Sequence, residues 1–262
     1  MLDVAVAAAR AAGEVLRDGL GRTKEIQHKN ERTSIVTSVD LAAQETIGQV
    51  IAERFPDHAV LAEEGSGAAT SAELTWLVDP LDGTSNFAHG LPFACTSVAV
   101  RDAVGPVAGA ILEPFRGELF TAVRGGGAWL GEERLRVSAT ASLDRALVCT
   151  GVQSDDPAAV AVFAERMERL AAQCRAVRCL GSPALCLAYV AAGRIDAFLE
   201  RDSTYAWDVA AGALMISEAG GRIEDIDGGP LNLGLGIANV LATNGRIHQA
   251  LTGLVRAGRS VR

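Results

Sequence analysis

Two different patterns of short apolar segments divide this chain near residue 147, and they constrain its fold more than any other feature of the sequence. Before that point, apolar runs of strand length at 59–62, at 75–78 and between 96 and 130 follow one another with turn signals between them. Consecutive strands joined by turns are typical of an antiparallel meander. The first pattern therefore predicts an antiparallel sheet in the N-terminal half.

In the second half of the chain, the apolar segments alternate between strand and helix. Strand-like runs at 147–150, 176–180 and 195–199 are separated by helical segments, which predicts a second sheet with helices packed against it. We predict an α/β fold with α+β type layering, an alternating helix/sheet sandwich. An antiparallel sheet would occupy an N-terminal subdomain, 1–140, and a mixed sheet a C-terminal subdomain, 141–262, within one compact unit.

Two amphipathic helices precede the strands. Small and apolar residues in 2–20 recur at alternating steps of four and three, which indicates a helix with one buried stripe. A second helical pattern, at 41–54, follows Thr37, Ser38 and Asp40, which are residue types that cap helix N-termini. Aromatic residues make up only 5% of the chain. We therefore expect a core of small aliphatic residues, which lets helices pack closely on sheets.

The acidic balance of the chain argues against nucleic acids and membrane surfaces as partners. The chain has 24 basic and 32 acidic residues and a net charge of −8, so it repels phosphate backbones and anionic lipids. Charged residues interrupt the apolar stretches, so we expect neither a signal peptide at the N-terminus nor a membrane span. The five cysteines form no C-x-x-C pair, and we expect them to be reduced in a cytoplasmic protein.

The segment 75–87 carries the strongest chemical signal, because an apolar strand there runs into two carboxylates three positions apart. Pro80 fixes its own backbone angle and lacks an N–H group, so the chain leaves the strand in a turn. This turn can direct Asp79, Asp82 and the Leu81 carbonyl to one point. Three converging oxygen ligands suit Mg²⁺. Taken alone, however, Asp-Pro and Asp-Gly are also ordinary turn dipeptides.

Other residues could complete a site at this sheet edge. Gly83 permits a close backbone approach, and the N–H groups of Gly83 and Thr84 can hold a phosphate beside a metal. Glu63 and Glu64 end another short strand, so one of them can add a third carboxylate, or both can be solvated loop charges. Asp208 begins a helical segment, where it is either a plain N-cap or a metal ligand.

Together these residues resemble the inositol monophosphatase family, a superfamily of Mg²⁺-dependent, lithium-sensitive phosphatases. The resemblance depends mainly on three motifs in order, which are AEEG at 62–65, WLVDPLDGTSNF at 76–87 and WDVAAG at 207–212. Shorter family-like segments lie at 33–40, 89–93, 125–128 and 218–221. The resemblance covers most of the chain and implies a homodimer whose subunits have two α/β halves.

The resemblance also assigns ligands to two or three magnesium ions. It implies a first metal held by Glu63, Asp79 and the Leu81 carbonyl, and a second held by Asp79, Asp82 and Asp208. A third, weaker metal would use Glu63. Carboxylates this close repel one another strongly unless cations lie between them, so their pKa values should rise without metal.

The catalytic pair implied by the resemblance is Asp40 and Thr84. Asp40 would accept a hydrogen bond from the Thr84 hydroxyl, and the pair would orient a water for in-line attack on phosphorus. The spacing from Thr37 to Asp40 can also be explained by helix capping alone. Lys29 lies in the loop before Asp40, where it either contacts a phosphate or a water of the metal, or is a plain surface lysine.

Substrate binding is implied at two further positions. The family uses an acidic residue shortly before Trp-Asp to hold substrate hydroxyls, and Glu200 is the candidate. The interval from Glu200 to Asp208 is one residue longer than the usual spacing, and Arg201 stands where the usual count would place the contact, so inositol specificity stays open. The segment 181–183 resembles the family's substrate turn, in which Ser182 is either a substrate contact or a plain N-cap before proline.

We therefore predict a Mg²⁺-dependent phosphomonoesterase that acts on a small phosphorylated metabolite, a polyol or sugar phosphate, with inositol 1-phosphate as the leading substrate. Fructose-1,6-bisphosphatase, histidinol-phosphate phosphatase and adenosine bisphosphate nucleotidase activities occur on the same scaffold and remain alternatives. An alternative of another class is an assembly or regulatory protein that binds a transcription complex, in which some bacterial relatives are implicated.

Overall fold

A computed structural model describes residues 1–22, 25–29, 34–65, 73–234 and 236–256. Thr33 of one family-like segment and the end of the predicted C-terminal subdomain, 257–262, lie outside these residues. The helices are α1 (Leu2–Gly19), α2 (Ser38–Arg54), α3 (Thr84–Ala88), α4 (Pro157–Gln173), α5 (Pro183–Ala191), α6 (Ala206–Glu218) and α7 (His248–Arg256). The strands are β1 (Ile26–His28), β2 (Ile35–Thr37), β3 (Ala59–Ala62), β4 (Thr75–Asp82), β5 (Cys95–Arg101), β6 (Pro106–Glu113), β7 (Glu118–Val123), β8 (Gly127–Leu130), β9 (Glu133–Arg134), β10 (Leu147–Thr150), β11 (Ala176–Arg178), β12 (Ala197–Glu200), β13 (Arg222–Glu224) and β14 (Val240–Thr243).

The larger sheet has the strand order β3-β4-β5-β6-β7-β8-β9. Every neighbouring pair from β4 to β9 is antiparallel, as the meander pattern predicts. The first pair differs, because β3 runs parallel to β4. The chain leaves β3 at one end of the sheet and starts β4 from the opposite end, so both strands end at the same sheet edge.

The smaller sheet has the order β11-β10-β12-β14-β13 and is mixed, as predicted. β10 is parallel to both β11 and β12, whereas β14 is antiparallel to β12 and β13. Because β10, β11 and β12 run in the same direction, their carboxyl ends meet at one edge of the sheet. This edge carries Thr150, Arg178 and Glu200.

Helices cover the two sheets in three layers. α1 and α2 pack on one face of the larger sheet, around buried Leu16, Ile47 and Trp76. α5 and α6 lie between the two sheets. α4 and α7 cover the other face of the smaller sheet through Leu170 and Leu251. This order confirms the alternating helix/sheet sandwich, while the subdomain boundary at residue 140 stays a prediction.

Small residues bring the middle helices close to their neighbours. A Cβ atom added at Gly109 of β6 would lie 3.1 Å from Ala211 of α6, so the helix packs directly on the sheet backbone. A Cβ atom added at Gly212 would lie 2.4 Å from the Leu187 Cβ atom in α5. The low aromatic content of the core is therefore matched by tight helix contacts, which require glycine and alanine.

Several elements differ from the expectations. α2 begins at Ser38 and not at residue 41, and α6 begins at Ala206, two residues before Asp208. The hairpin β1–β2, the strands β13 and β14 and helix α7 were not expected. The five cysteines are free, and all but Cys179 are buried. In the described part of the chain, no helix is long and apolar enough to cross a membrane.

Candidate active site

The prediction that the chain leaves the strand in a turn at Pro80 is wrong, because β4 continues through Pro80 to Asp82 and only its pairing becomes irregular there. β4 is buried along its whole length, and its pairing with β5 shifts between Asp79 and Asp82. The Leu81 N–H group donates to Asp79 Oδ1 at 3.0 Å. Gly83 follows with a φ of +90°, and a Cβ atom there would lie 3.0 Å from the Phe93 carbonyl oxygen. Only glycine fits this position without strain.

Three carboxylates from three elements meet at the sheet edge. Oxygen atoms of Glu63, Asp79 and Asp208 lie within 4.8 Å of one another. Glu63 follows β3, and its N–H group donates to the Val78 carbonyl at 3.2 Å. Asp208 lies in the first turn of α6, where its Oδ2 accepts from the Tyr205 N–H group at 2.6 Å. The parallel course of β3 and β4 places the first two acids side by side, and α6 brings the third.

The electrostatics of this cluster favour a bound cation. Burial raises the pKa values of Asp79 and Asp208 well above the usual range, and the charges of Glu63 and Asp82 raise them further. Ionised carboxylates so close together are stable only when positive charge lies between them. All the donors are hard oxygens, which suit Mg²⁺. The residues present therefore fit a divalent metal site.

Asp82 lies beside this cluster and connects it to α5. Its Oδ2 atom accepts hydrogen bonds from the Ser182 hydroxyl and, at 2.8 Å, from the Ala184 N–H group. The Cys95 Sγ atom is 3.6 Å from the same oxygen. Burial raises the pKa of Asp82 to about 7, although these hydrogen bonds oppose the shift. Ser182 thus occupies the N-cap position of α5, but its side chain binds Asp82, and Asp82 caps the helix.

Asp40 makes the capping contact with Thr37 and the contact with Thr84 through separate oxygen atoms. Oδ2 accepts from the Thr37 N–H group at 2.9 Å and from the Thr37 hydroxyl at 2.5 Å, which closes a capping box at the start of α2. Oδ1 lies 3.0 Å from the Thr84 hydroxyl, which is also 3.0 Å from the Leu81 carbonyl. Burial raises the pKa of Asp40 to about 6.

Lys29 contacts the acids directly, which neither sequence interpretation anticipated. Its Nζ atom lies 2.8 Å from Glu63 Oε1 and 2.5 Å from Glu64 Oε1. Burial works against the ammonium charge, but the two glutamates more than compensate and raise the pKa of Lys29. Glu64 is held further by its own N–H group, which donates to Gln44 at 2.9 Å. Glu63 therefore belongs both to the acid cluster and to the contact with Lys29, whereas Glu64 contacts Lys29.

Glu200 and Arg201 lie at the end of β12, outside the acid cluster. Glu200 is buried, and its Oε1 atom accepts from the Ser203 hydroxyl at 2.6 Å. Arg201 forms an ion pair with Asp227. Because Arg201 is held by Asp227, Glu200 is the better candidate for a polar contact to a ligand.

Asn86 connects the two halves of the site, a role that was not predicted from the sequence. Its Nδ2 atom donates to the Phe93 carbonyl at 2.9 Å and to the Leu180 carbonyl at 2.7 Å. These bonds join α3 to the turn that precedes α5. Nothing in the sequence around Asn86 indicates a partner that is 94 positions away.

A cluster of carboxylates beside a hydroxyl–carboxylate pair is typical of metal-dependent hydrolases. A model of the inositol monophosphatase family matches residues 1–259. Inositol monophosphatase 2 of Solanum lycopersicum is 41% identical over 255 residues, which are 95% of each chain. Nus factor SuhB of Haemophilus influenzae is 38% identical over 98% of this chain and 96% of its own.

The solved structures agree with the sequence relatives. The crystal structure of the extragenic suppressor protein suhB from Bartonella henselae matches with a TM-score of 0.90 and 35% identity, and the match covers 98% of each chain. This chain belongs to the inositol monophosphatase family of phosphatases, and the predicted resemblance is confirmed.

Proposed function

We propose that the protein is a Mg²⁺-dependent phosphomonoesterase that hydrolyses a small polyol phosphate, with inositol 1-phosphate as the leading substrate. The observation that carries this proposal is the Thr84 hydroxyl, which lies 3.0 Å from Asp40 Oδ1 and 3.0 Å from the Leu81 carbonyl. The acids Asp79 and Asp82 lie on either side of Leu81 at the end of β4. The hydroxyl–carboxylate pair therefore adjoins the candidate metal ligands.

The acid cluster would hold two or three magnesium ions. Glu63, Asp79 and the Leu81 carbonyl would hold the first, while Asp79, Asp82 and Asp208 would hold the second, and a third would use Glu63. When bound, Mg²⁺ polarises the phosphate oxygens and makes a water acidic enough to attack phosphorus. Asp82 would use the carboxylate oxygen that does not accept from Ser182. Lys29 would then keep Glu64 as its partner while Glu63 turns to the metal.

Thr84 and Asp40 would orient the attacking water and take up its proton. Asp40 Oδ1 can accept a hydrogen bond from the Thr84 hydroxyl, so that the lone pairs of this hydroxyl are free to accept a hydrogen bond from the water. Oδ2 stays bound to Thr37, so the carboxylate cannot rotate away. The N–H groups of Gly83 and Thr84 lie at the start of α3, where the helix offers them no partner, and they would bind the phosphate oxygens.

On the substrate side, Glu200 would accept hydrogen bonds from substrate hydroxyls. Ser182 would line the same region from the first turn of α5, next to Asp82. A leaving group with several hydroxyls suits a buried carboxylate, because each hydroxyl that donates to the carboxylate replaces a hydrogen bond from water that burial removes. This is the reason for placing inositol 1-phosphate ahead of substrates without neighbouring hydroxyls.

Phosphate release from a panel of substrates tests this proposal. The panel contains inositol 1-phosphate, fructose 1,6-bisphosphate, histidinol phosphate and adenosine 3′,5′-bisphosphate, each with Mg²⁺, with EDTA and with added Li⁺. We expect the highest kcat/KM for inositol 1-phosphate with Mg²⁺, no activity in EDTA and inhibition by Li⁺. Absence of turnover for every substrate with Mg²⁺ would overturn the proposal.

A second candidate function is assembly with a transcription complex, and the relatives named Nus factor SuhB favour it. The net charge of −8 makes a protein surface a better partner than RNA or DNA. The test is a strain in which the Asp82→Asn variant replaces the wild type. Full growth together with stoichiometric recovery of partner proteins would favour assembly, whereas loss of the phenotype together with loss of activity would favour catalysis.

The proposed state of the protein is a cytoplasmic homodimer. The free cysteines support a reducing compartment, and the homodimer is supported by the family resemblance. Analytical ultracentrifugation of the purified protein tests the homodimer. A mass equal to one chain at micromolar concentration would contradict the homodimer.

A further inference from the structure

A cleft with a volume of about 460 Å³ lies where three connecting segments meet, at the far end of α6 from the acid cluster. It is lined by 136–139 after β9, by 219–220 after α6 and by 244–246 after β14, and we call it the arginine cleft. Because Asp208 lies in the first turn of α6, roughly 16 Å of helix at about 1.5 Å per residue separates the acid cluster from this cleft. The volume is within the range of small-molecule binding sites.

Two arginines, Arg136 and Arg246, line the cleft without an acidic partner in the described part of the chain. Both are exposed, and within the residues that the structure describes neither side chain makes a hydrogen bond or an ion pair. Arg124, by contrast, is paired with Asp102. Among the described residues, no aspartate or glutamate lines the cleft. Two uncompensated positive charges therefore lie at one concave surface.

Buried hydrogen bonds hold together the two segments that carry these arginines. Asn244 is 2% exposed, its Nδ2 atom donates to the Ser138 hydroxyl oxygen at 2.8 Å, and its Oδ1 atom accepts from the Arg246 N–H group at 3.0 Å. The Ser138 hydroxyl donates to Asp196 Oδ1 at 2.5 Å, and the other Asp196 oxygen accepts from the Leu147 N–H group at 2.7 Å. The backbone that presents the arginines is therefore preorganised, which lowers the entropic cost of binding a ligand.

The rest of the wall consists of backbone and short apolar side chains. A Cβ atom added at Gly245 would lie 3.7 Å from the Gly220 carbonyl oxygen, and one added at Gly220 would have no neighbour within 4 Å. Val137, Ala139 and Ala219 add small apolar surfaces. The cleft thus combines two cationic groups with room, and with apolar surface, for the body of a ligand.

We propose that the arginine cleft binds a small organic phosphate, whose phosphate group accepts hydrogen bonds from Arg136 and Arg246 and whose carbon skeleton contacts Val137 and Ala139. Guanidinium groups form paired hydrogen bonds with phosphate oxygens. A phosphate monoester offers three terminal oxygens to the two guanidinium groups, whereas a carboxylate offers two, so a phosphate is the better match. The site needs no metal and is separate from the acid cluster, so it does not rest on the proposed phosphatase function.

Calorimetric titration of the metal-free protein with phenyl phosphate at low salt tests the site. The metal is removed on a chelating resin, because EDTA is itself a polyanion that would compete for the arginines. Without metal, the ionised carboxylates of the acid cluster repel phosphate, so the titration reports on the cleft. We expect one molecule of phenyl phosphate to bind per chain. Inorganic phosphate should bind more weakly, because it makes no apolar contact, and so should succinate, a dicarboxylate.

Single substitutions locate the binding. Arg136→Gln and Arg246→Gln should each raise the Kd for phenyl phosphate about tenfold, because each removes charge-assisted hydrogen bonds to the phosphate, and the double variant should show no saturable binding. Arg54→Gln is the matched control, because Arg54 is exposed in the last turn of α2 and has no partner among the described residues. The control should leave the Kd unchanged, which separates the cleft from a general loss of surface charge.

The absence of saturable binding to the wild type would overturn the site, and so would an unchanged Kd in both single variants or an equal rise in the Arg54→Gln control. Tighter binding of succinate than of phenyl phosphate would overturn the assignment to phosphates. Failure of the phosphatase proposal is distinguishable, because a protein that hydrolyses no substrate with Mg²⁺ can still bind phenyl phosphate in the cleft.

Discussion

Removal of the metal should make the stability of this protein depend strongly on pH, and Asp82 provides the clearest case. Burial raises the pKa of Asp82 from 3.8 to about 7 in the folded, metal-free chain. The folded chain therefore holds this proton more tightly than the unfolded chain does. The resulting contribution to stability is fully present below about pH 4 and is lost as the pH rises through 7.

The magnitude follows from the size of the shift. A shift of about three pKa units at about 1.4 kcal/mol each corresponds to about 4 kcal/mol of stability lost between low and neutral pH. For a chain of 262 residues, 1 kcal/mol moves the Tm by roughly 2 to 4 °C. About two of the three units lie above pH 5, so we expect the ionisation of Asp82 to lower the Tm in EDTA by roughly 6 to 11 °C between pH 5 and pH 8. Saturating Mg²⁺ should remove most of this fall, because the cation stabilises the ionised carboxylate.

Calorimetry of the wild type and of Asp82→Asn in EDTA, at several pH values from 5 to 8, measures the effect. The variant keeps an oxygen that can accept from Ser182 and Ala184 but has no charge to bury, so its Tm should fall less than that of the wild type by the contribution of Asp82, while Asp79 and Asp208 contribute to the fall in both proteins. Asp102→Asn is the matched control. The exposed Asp102 pairs with Arg124, which holds the Asp102 pKa below its usual range, so its ionisation does not change in this interval. Equal falls in Tm for the wild type and Asp82→Asn would refute the reasoning.

Three further predictions concern single residues. Thr84→Val should lower kcat by at least about a hundredfold, which is the usual contribution of a general acid–base group, whereas Thr84→Ser should retain most activity and both should bind Mg²⁺ normally by calorimetric titration. Lys29→Met should lower the Tm of the EDTA-treated protein more than that of the Mg²⁺-loaded protein, because Lys29 is a cationic partner of Glu63 in the metal-free site; equal effects on both forms would count against this. Gly212→Ala should destabilise the protein by about 1 to 3 kcal/mol in urea unfolding, because the added methyl group overpacks the contact between α5 and α6. Gly253→Ala in α7 is the control and should not destabilise the protein, because a Cβ atom there has no neighbour within 4 Å. An unchanged urea midpoint for Gly212→Ala would contradict the close helix contact.

The sequence was most informative where the signal is local. Asp79 and Asp82 could be assigned to one place because they are three positions apart, although the strand was expected to end at Pro80 and continues to Asp82. The capping contact of Asp40 with Thr37 was likewise readable from the local spacing. The roles of these residues in binding and catalysis stay predictions.

Partners that are distant along the chain could be predicted only through the family resemblance, as for Asp40 and Thr84, which are 44 positions apart. The bond from Ser182 to Asp82 joins residues separated by 100 positions, and its existence depends on how α5 packs against the larger sheet. The contact of Lys29 with Glu63 and Glu64 depends on the hairpin β1–β2, whose two short strands have no apolar alternation to reveal them. The apolar pattern of β3 likewise does not indicate that this strand runs parallel to β4.

The helix α6 carries an important group at each end. Asp208 in its first turn belongs to the acid cluster, and Glu218 in its last turn accepts hydrogen bonds from the N–H groups of Gly125 at 2.7 Å and Gly127 at 2.9 Å. At about 1.5 Å per residue, its 13 residues span roughly 20 Å. Inserting or deleting a single residue would rotate one end by roughly 100° relative to the other. The length of α6 therefore sets the separation and relative orientation of the β7–β8 hairpin and the candidate active site.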